Sequence, residues 1–394
     1  MARILSIFNR YRQYGGEETV SGHITQLLST AHEVTSLTPS TNEIQGNTLL
    51  SKLSFPLRGL YNRDIKHQLE KLQATHHFDY WLVHNVFPAM SPSVYETAFR
   101  LNVPLIHMVH NYRMGCINGF MLKDNSHCEL CIDHHLKYGI QNKCYRNSLI
   151  MSLFGSAFQW RSKKIGLFEK TAAFIALSNA QVPFLKRMGI PENKIQIIPH
   201  FLSSTTDEIR PIPDKGYVLF MGRLSKEKGT MGFLQAWNEI NPKDRKLLIA
   251  GTGPEEETMK DFVKNNNLHS VEFLGFVSTE HHQELWKNCS FYAMPSICEE
   301  TAALSMLEGW KYGRPALAFN KGAANDYLSQ CPAGWLAKLE KKGSLTETLR
   351  QALDTPHEQL TRMGNAGREY VNKYHTETTW LNSFNALLQS INER

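Results

Sequence analysis
Short apolar runs alternate with amphipathic stretches of helical period along most of this chain. ARILSIFN predicts a strand, TVSGHITQLLSTAHEV a helix and HEVTSLT a second strand, which is how a doubly wound α/β sheet begins. After a polar stretch to about residue 63, IKHQLEKLQATHHF and SVYETAFRLN read as helices, and YWLVHN and PLIHMVHN as strands. AAFIALSNA, a helix QVPFLKRMG closed by Gly189, and KIQIIPHF complete a first domain. The interval FLSSTTDEIRPIPDKG is polar, proline-bearing and aperiodic, so it reads as a linker. Alternation resumes through YVLFMG, TMGFLQAWNEI, KLLIAG, VEFLGFV, FYAMPS, SMLEGWKYG and RPALAF, and ends on the amphipathic helix TETTWLNSFNALLQSINE. Two domains are expected, residues 1–203 and 204–375, a division that suits a length of 394.

Apolar residues at 42% and charged residues at 20% are ordinary for a globular enzyme. No window approaches twenty uninterrupted apolar residues, and MARILSIFNRYRQ lacks the long apolar run of a signal peptide, so a cytoplasmic protein is expected. The net charge of +6 is uneven: residues 1–200 carry 21 Lys and Arg against 13 Asp and Glu, and the rest carry 22 against 24. A basic first half suits nucleic acid, an anionic membrane surface or a phosphorylated acceptor, and composition does not choose among them.

Chemistry concentrates in MPSICEETAALSMLEGWKYGRPALAF, read as strand, loop, helix, strand. Glu300 falls in the loop before the helix and Glu308 inside it. The amides of Thr301, Ala302, Ala303 and Leu304 are then donors at a helix start, which suits a phosphate, while two carboxylates suit hydroxyl groups. A nucleotide sugar carries both. Two glutamates eight apart also describe a solvated helix face, so other positions must decide. In YVLFMGRLSKEKG a strand ends in a glycine turn bearing Arg223 and Lys228, two cations placed for a pyrophosphate. Gly15 and Gly16 lie where the first strand turns into the first helix, and His110 lies at the carboxyl end of a strand, the side on which open α/β sheets bind ligands.

Two segments are not explained by this pattern. Between His110 and Arg146, Cys116, Cys128, Cys131 and Cys144 are spaced C-x11-C-x2-C-x12-C, which suits a structural zinc, with His127, His134 and His135 as substitute ligands. Unligated packing cysteines and a disulfide are the alternatives. Residues 145–170 mix apolar side chains with Arg146, Arg161, Lys163 and Lys164, and read equally as an interfacial helix pair or as core helices.

The Glu300 and Glu308 stretch resembles the E-x7-E motif of the retaining glycosyltransferases of family four, with Thr301 and Ala302 where that pattern has glycines and Ser305 where it has proline. Gly222 to Gly229 matches the family's G-R-x4-K-G motif, and HNYRxxCxNG…C-x-x-C…CYR is similar to a subset with a four-cysteine insertion. The resemblance implies a GT-B fold, two Rossmann-like domains facing across a cleft, with residues 376–394 crossing back to the first. It implies transfer of a sugar from a nucleotide diphosphate donor, UDP- or GDP-linked, to a glycan or lipid-linked acceptor hydroxyl, with polysaccharide or glycoconjugate synthesis as the setting. By the same resemblance Gly15 and Gly16 line the site, His110 contacts the donor sugar, Gly275 and Phe276 frame the base, Glu308 holds the ribose and Glu300 the hexose. No D-x-D run occurs, so the leaving diphosphate is expected to meet Arg223, Lys228 and helix amides without a catalytic metal. An epimerase or hydrolase of the same fold is the alternative enzyme. A zinc-bearing binding protein leaves Arg223, Lys228 and both glutamates without a role, and nucleic acid is not expected as a partner.

Overall fold
The computed structural model describes residues 1–11, 15–42, 56–134, 136–203, 210–214 and 216–393. Much of the expected linker, the polar stretch after residue 42 and His135 lie outside the described residues. Two compact units form. The first comprises residues 1–121, 128–199 and 381–394, and the second residues 122–127 and 200–380.

In the first unit, β1 (Arg3–Phe8), β2 (Glu33–Leu37), β3 (Tyr80–Asn85) and β4 (Leu105–Met108) precede a two-stranded hairpin of β5 (Leu122–Lys123) and β6 (Ser126–His127), which belongs to the second unit. β7 (Ala173–Ala176) and β8 (Ile195–Ile197) finish an all-parallel sheet of order β2-β1-β3-β4-β7-β8. Its inner strands β1, β3, β4 and β7 are buried along almost their whole length, as in parallel sheets covered on both faces, and Trp81, Leu82, Leu105 and Phe174 are wholly buried. The first helix begins at Gly16, earlier than the apolar pattern indicates, since Glu17 and Glu18 occupy its first turn, where acidic residues favour the helix dipole. The last helix, Glu377–Asn392, contributes its residues from Leu381 onward to this unit. There Asn392 accepts a hydrogen bond from the Tyr80 hydroxyl, Asn385 pairs with His32 at 2.8 Å, and Phe384, Leu387 and Leu388 are buried.

The second unit holds β9 (Tyr217–Met221), β10 (Leu247–Ala250), β11 (Val271–Gly275), β12 (Cys289–Met294), β13 (Ala316–Phe319) and β14 (Gly334–Ala337). They form a parallel sheet of order β11-β10-β9-β12-β13-β14. Chain order runs outward to one side from β9 and to the other from β12, so the two halves part between these strands, the place where doubly wound sheets open a ligand crevice. Gly322–Gln330 is a helix, in which small Gly322, Ala323 and Ala324 are buried against the sheet, although by resemblance to the family NKGAAND is expected to supply a glycine-rich turn. Among the described residues no helix is long and apolar enough to cross a membrane.

Candidate functional site
Loops at the carboxyl ends of β9, β12 and β13 meet in the second unit. Their backbones approach so closely that side chains are excluded. A Cβ at Gly229, where φ is +67°, would lie 1.9 Å from the Pro295 carbonyl oxygen, and one at Gly322 would lie 2.3 Å from that of Glu300. Ile297 N donates to the Glu227 oxygen at 3.0 Å, and Ala323 N to the Glu300 oxygen at 2.8 Å, which fixes the three loops to one another. The helix Leu304–Lys311 then starts at Ala303, a non-glycine residue held left-handed at φ 47°, ψ 42°. This backbone costs an L-residue about 1–2 kcal/mol, so the turn into the helix is held against local preference.

The convergence brings Lys228 and Glu300 together, with Nζ 2.6 Å from Oε1. Burial favours the neutral carboxyl of Glu300, but the Lys228 ammonium outweighs it and holds the group below its ordinary range. Burial likewise opposes charge on Lys228, and Glu300 more than offsets that, so the ammonium is held above its ordinary range. A half-buried ion pair is thus preformed at the switch point. Arg223, on the same loop as Lys228, is exposed. Thr301 is partly exposed, Ala302 and Ala303 are buried, and Leu304 is the first helical residue, so these amides lie at the helix start as expected. Glu308, one turn further, retains 37% exposure and sits 3.8 Å from His282 Nε2. Loss of water around its carboxyl raises it to about 7, with Lys311 acting in the opposite sense. At the end of β11, Gly275 has φ +65° with nothing near a Cβ position, and the Phe276 ring is 84% exposed.

Sequence reasoning missed Glu299. Its buried carboxylate accepts from Gly322 N at 2.8 Å and lies 3.2 Å from His127 Nδ1 on the hairpin and 3.9 Å from Lys321 Nζ. It caps the helix Gly322–Gln330 beside the Glu300 pair. Its adjacency to Glu300 in the sequence was the available signal.

In the first unit His110 is buried, stacked on His84 with ring centroids 5.3 Å apart, and His84 Nδ1 lies 3.0 Å from His110 Nε2. One ring donates to the other, so the two cannot both be doubly protonated without breaking the bond. Burial lowers the His110 pKa, with Glu17 acting in the opposite sense. His84 was not foreseen, although β3 and β4 are neighbours and each runs into Val-His-Asn, at Val83–Asn85 and Val109–Asn111. Asn111 donates to Glu17 Oε1 at 2.8 Å, and the Tyr11 hydroxyl donates to its other oxygen at 3.0 Å. Gly15 and Gly16 precede Glu17, and nothing lies within 4 Å of a Cβ at either, so protein packing does not require glycine there.

The four cysteines do not meet the zinc expectation. Among the described residues no group of three or more His, Cys, Asp or Glu side chains is arranged to hold a metal ion. All four are free thiols. Cys116 is buried and donates to Asn118 Oδ1 at 3.1 Å, and burial pushes Cys131 up to about 11, aided by Cys116 and Cys144.

Comparison with known proteins agrees with this arrangement. A model of Glycosyltransferase Family 4 matches residues 14–204, and a model of Glycosyl transferases group 1 matches residues 204–370. An uncharacterized glycosyltransferase of Methanocaldococcus jannaschii is 24% identical over 70% of this chain and 72% of its own length. The N,N'-diacetylbacillosaminyl-diphospho-undecaprenol alpha-1,3-N-acetylgalactosaminyltransferase of Campylobacter jejuni is 23% identical over 51% of this chain and 56% of its own length. Among solved structures, Anabaena HepE in complex with UDP and glucose superposes with a TM-score of 0.67 at 15% identity, covering 99% of this chain and 100% of that one. With both halves matched in order, two doubly wound units and a basic and acidic pair at the switch point of the second, the chain is a family-four-like glycosyltransferase of the GT-B fold.

Proposed function
We propose that the protein transfers a sugar from a nucleotide diphosphate donor to an acceptor hydroxyl with retention of anomeric configuration. The observation that carries this reading is the half-buried Lys228–Glu300 pair at the switch point of the second sheet. As the bond from the anomeric carbon to the phosphate oxygen breaks, negative charge gathers on the diphosphate. Arg223, as a planar fork, and Lys228, as a point charge, meet it beside the amides at the start of the helix Leu304–Lys311. Lys228 then exchanges part of its contact with Glu300 for phosphate, which leaves that carboxylate to accept from a ring hydroxyl and to stabilise positive charge on the anomeric carbon. The acceptor oxygen forms the new bond on the face the diphosphate leaves, and its proton passes to the departing phosphate oxygen. Glu308 accepts from the ribose hydroxyls, Phe276 and Gly275 stand beside the base, and His110, oriented by His84, contacts the sugar.

UDP-sugars are the first donors to test, because HepE was crystallised with UDP. A lipid-linked acceptor is favoured by the Campylobacter relative, whose name places its acceptor on diphospho-undecaprenol. Turnover over a panel of UDP- and GDP-sugars tests the assignment through Arg223→Ala, since that side chain is exposed and its loss leaves the fold intact. The expected fall is roughly 10²-fold or more, the scale of one preorganised charge contact. Lys228→Ala should fall as far, with Lys228→Ala/Glu300→Gln as the stability control, because leaving one partner of a half-buried pair alone carries a cost of its own. Undiminished turnover in Arg223→Ala and Lys228→Ala would overturn the reading.

A further inference from the structure
Four of the large apolar side chains left exposed in the protein sit on one helix, Leu149–Lys164. Its inner face is accounted for: Phe154 and Phe158 pack on Phe87, with ring centroids at 5.6 and 5.0 Å, while Ser152, Gly155, Ser156, Gln159 and Ser162 are buried. The outer face inverts the usual rule for a surface helix. Ile150 is 71% exposed, Leu153 48% and Trp160 58%, and with Ala157 and Lys164 they recur at intervals of three and four, a single stripe. Leu149 adds to the same end. No acidic residue occurs from His134 to Phe168, whereas Lys137, Lys143, Arg146, Lys163 and Lys164 are exposed there. Arg161 is the exception among the cations, being paired with Glu96 at 2.7 Å. Lys164 Nζ stands 4.9 Å from the centre of the Trp160 ring.

We infer that this face is a docking surface for an anionic lipid bilayer. The helix has 16 residues, about 24 Å at 1.5 Å each, too short to span a hydrocarbon core and long enough to lie in the interface. Ile150, Leu153 and Trp160 enter the headgroup boundary, and the cations around them meet anionic headgroups. A water-exposed role explains neither the apolar stripe nor the missing acids, and the charge selects lipid over an apolar protein partner.

Co-sedimentation with vesicles of phosphatidylcholine alone, or mixed with phosphatidylglycerol, tests this. The protein is expected to bind the mixed vesicles and not the neutral ones. Lys164→Glu should weaken binding by at least about fivefold, the worth of one cation at such a surface. The double variant Ile150→Asp/Leu153→Asp, which alters exposed positions only, should lose at least about tenfold. Of the seven tryptophans the other six are buried, so a blue shift of emission on vesicle binding reports Trp160 and should vanish in Trp160→Phe. Failure to bind mixed vesicles, or equal binding by the double variant, overturns the inference. So does self-association in solution that the double variant abolishes while vesicles are ignored, since the face would then belong to a second copy. Vesicle binding is read without turnover, so its failure leaves the proposed glycosyl transfer standing.

Discussion

Glu308 is a carboxyl of the second unit whose titration is shifted toward neutrality. Its folded pKa of about 7 stands above the ordinary 4.5, so the folded protein favours the protonated acid. That contribution to stability is fully present below about 4.5 and disappears as pH rises through 7. Ribose hydroxyls, by contrast, donate to the carboxylate. Affinity for UDP should therefore rise by about tenfold between pH 6 and 8, as the ionised fraction climbs from about a tenth to nine-tenths. Stability should fall over the same interval. His282 lies beside Glu308 and its pKa is lowered by burial, so Glu308→Gln is the variant that isolates the carboxyl. Calorimetric titration and melting curves at the two pH values check both signs. The variant should bind UDP more weakly, with less dependence on pH, and should match or exceed the parent's melting temperature at pH 8. A parent affinity that is flat in pH would show that Glu308 does not meet the ribose.

At the scale of elements, glycine tightens the loops that make the site. Gly229→Ala would drive a Cβ into the Pro295 carbonyl in a left-handed backbone, and should cost about 2 kcal/mol or more. Gly232, three residues on in the helix Thr230–Ile240, has nothing within 4 Å of a Cβ, so Gly232→Ala should stabilise by about 0.5–1 kcal/mol. Urea melts of the two variants separate these outcomes, and only the first should also weaken nucleotide binding. Strand and helix periods made most of the sheet legible, and the ligand side of each sheet followed from strand ends. Contact was harder to read. Lys228 and Glu300 are 72 residues apart, and only the order β9-β12 makes them neighbours. The helix Gly322–Gln330 escaped because Gly and Ala give a weak periodic signal, although their small size is what lets it press against the sheet. The cysteine spacing suggested a tetrahedron, yet spacing alone does not bring side chains together, and among the described residues no such group is arranged to hold a metal ion.

For the whole molecule, the division into units does not follow the order of the chain. Residues from Leu381 onward complete the first unit, burying Phe384, Leu387 and Leu388 there. Full burial of three such side chains is worth about 5 kcal/mol or more, comparable to the whole stability of a typical domain. A chain ending at Trp380 should accordingly show a first unit that melts many degrees lower or not cooperatively, while the second keeps its transition. Differential scanning calorimetry with limited proteolysis checks this, and an unchanged first transition would contradict it. The same connectivity bears on how the protein is made. Synthesis runs from the first residue onward, and domains commonly fold as they emerge. Here the strands of the first sheet are translated early, but the unit stays unfinished while residues 200–380 are added, its apolar surface for Phe384 and Leu388 open to water or to other nascent chains until the last helix leaves the ribosome. Birth order and folding order are therefore reversed for this unit, and a pause or break in translation before residue 381 leaves behind a sticky, incomplete half.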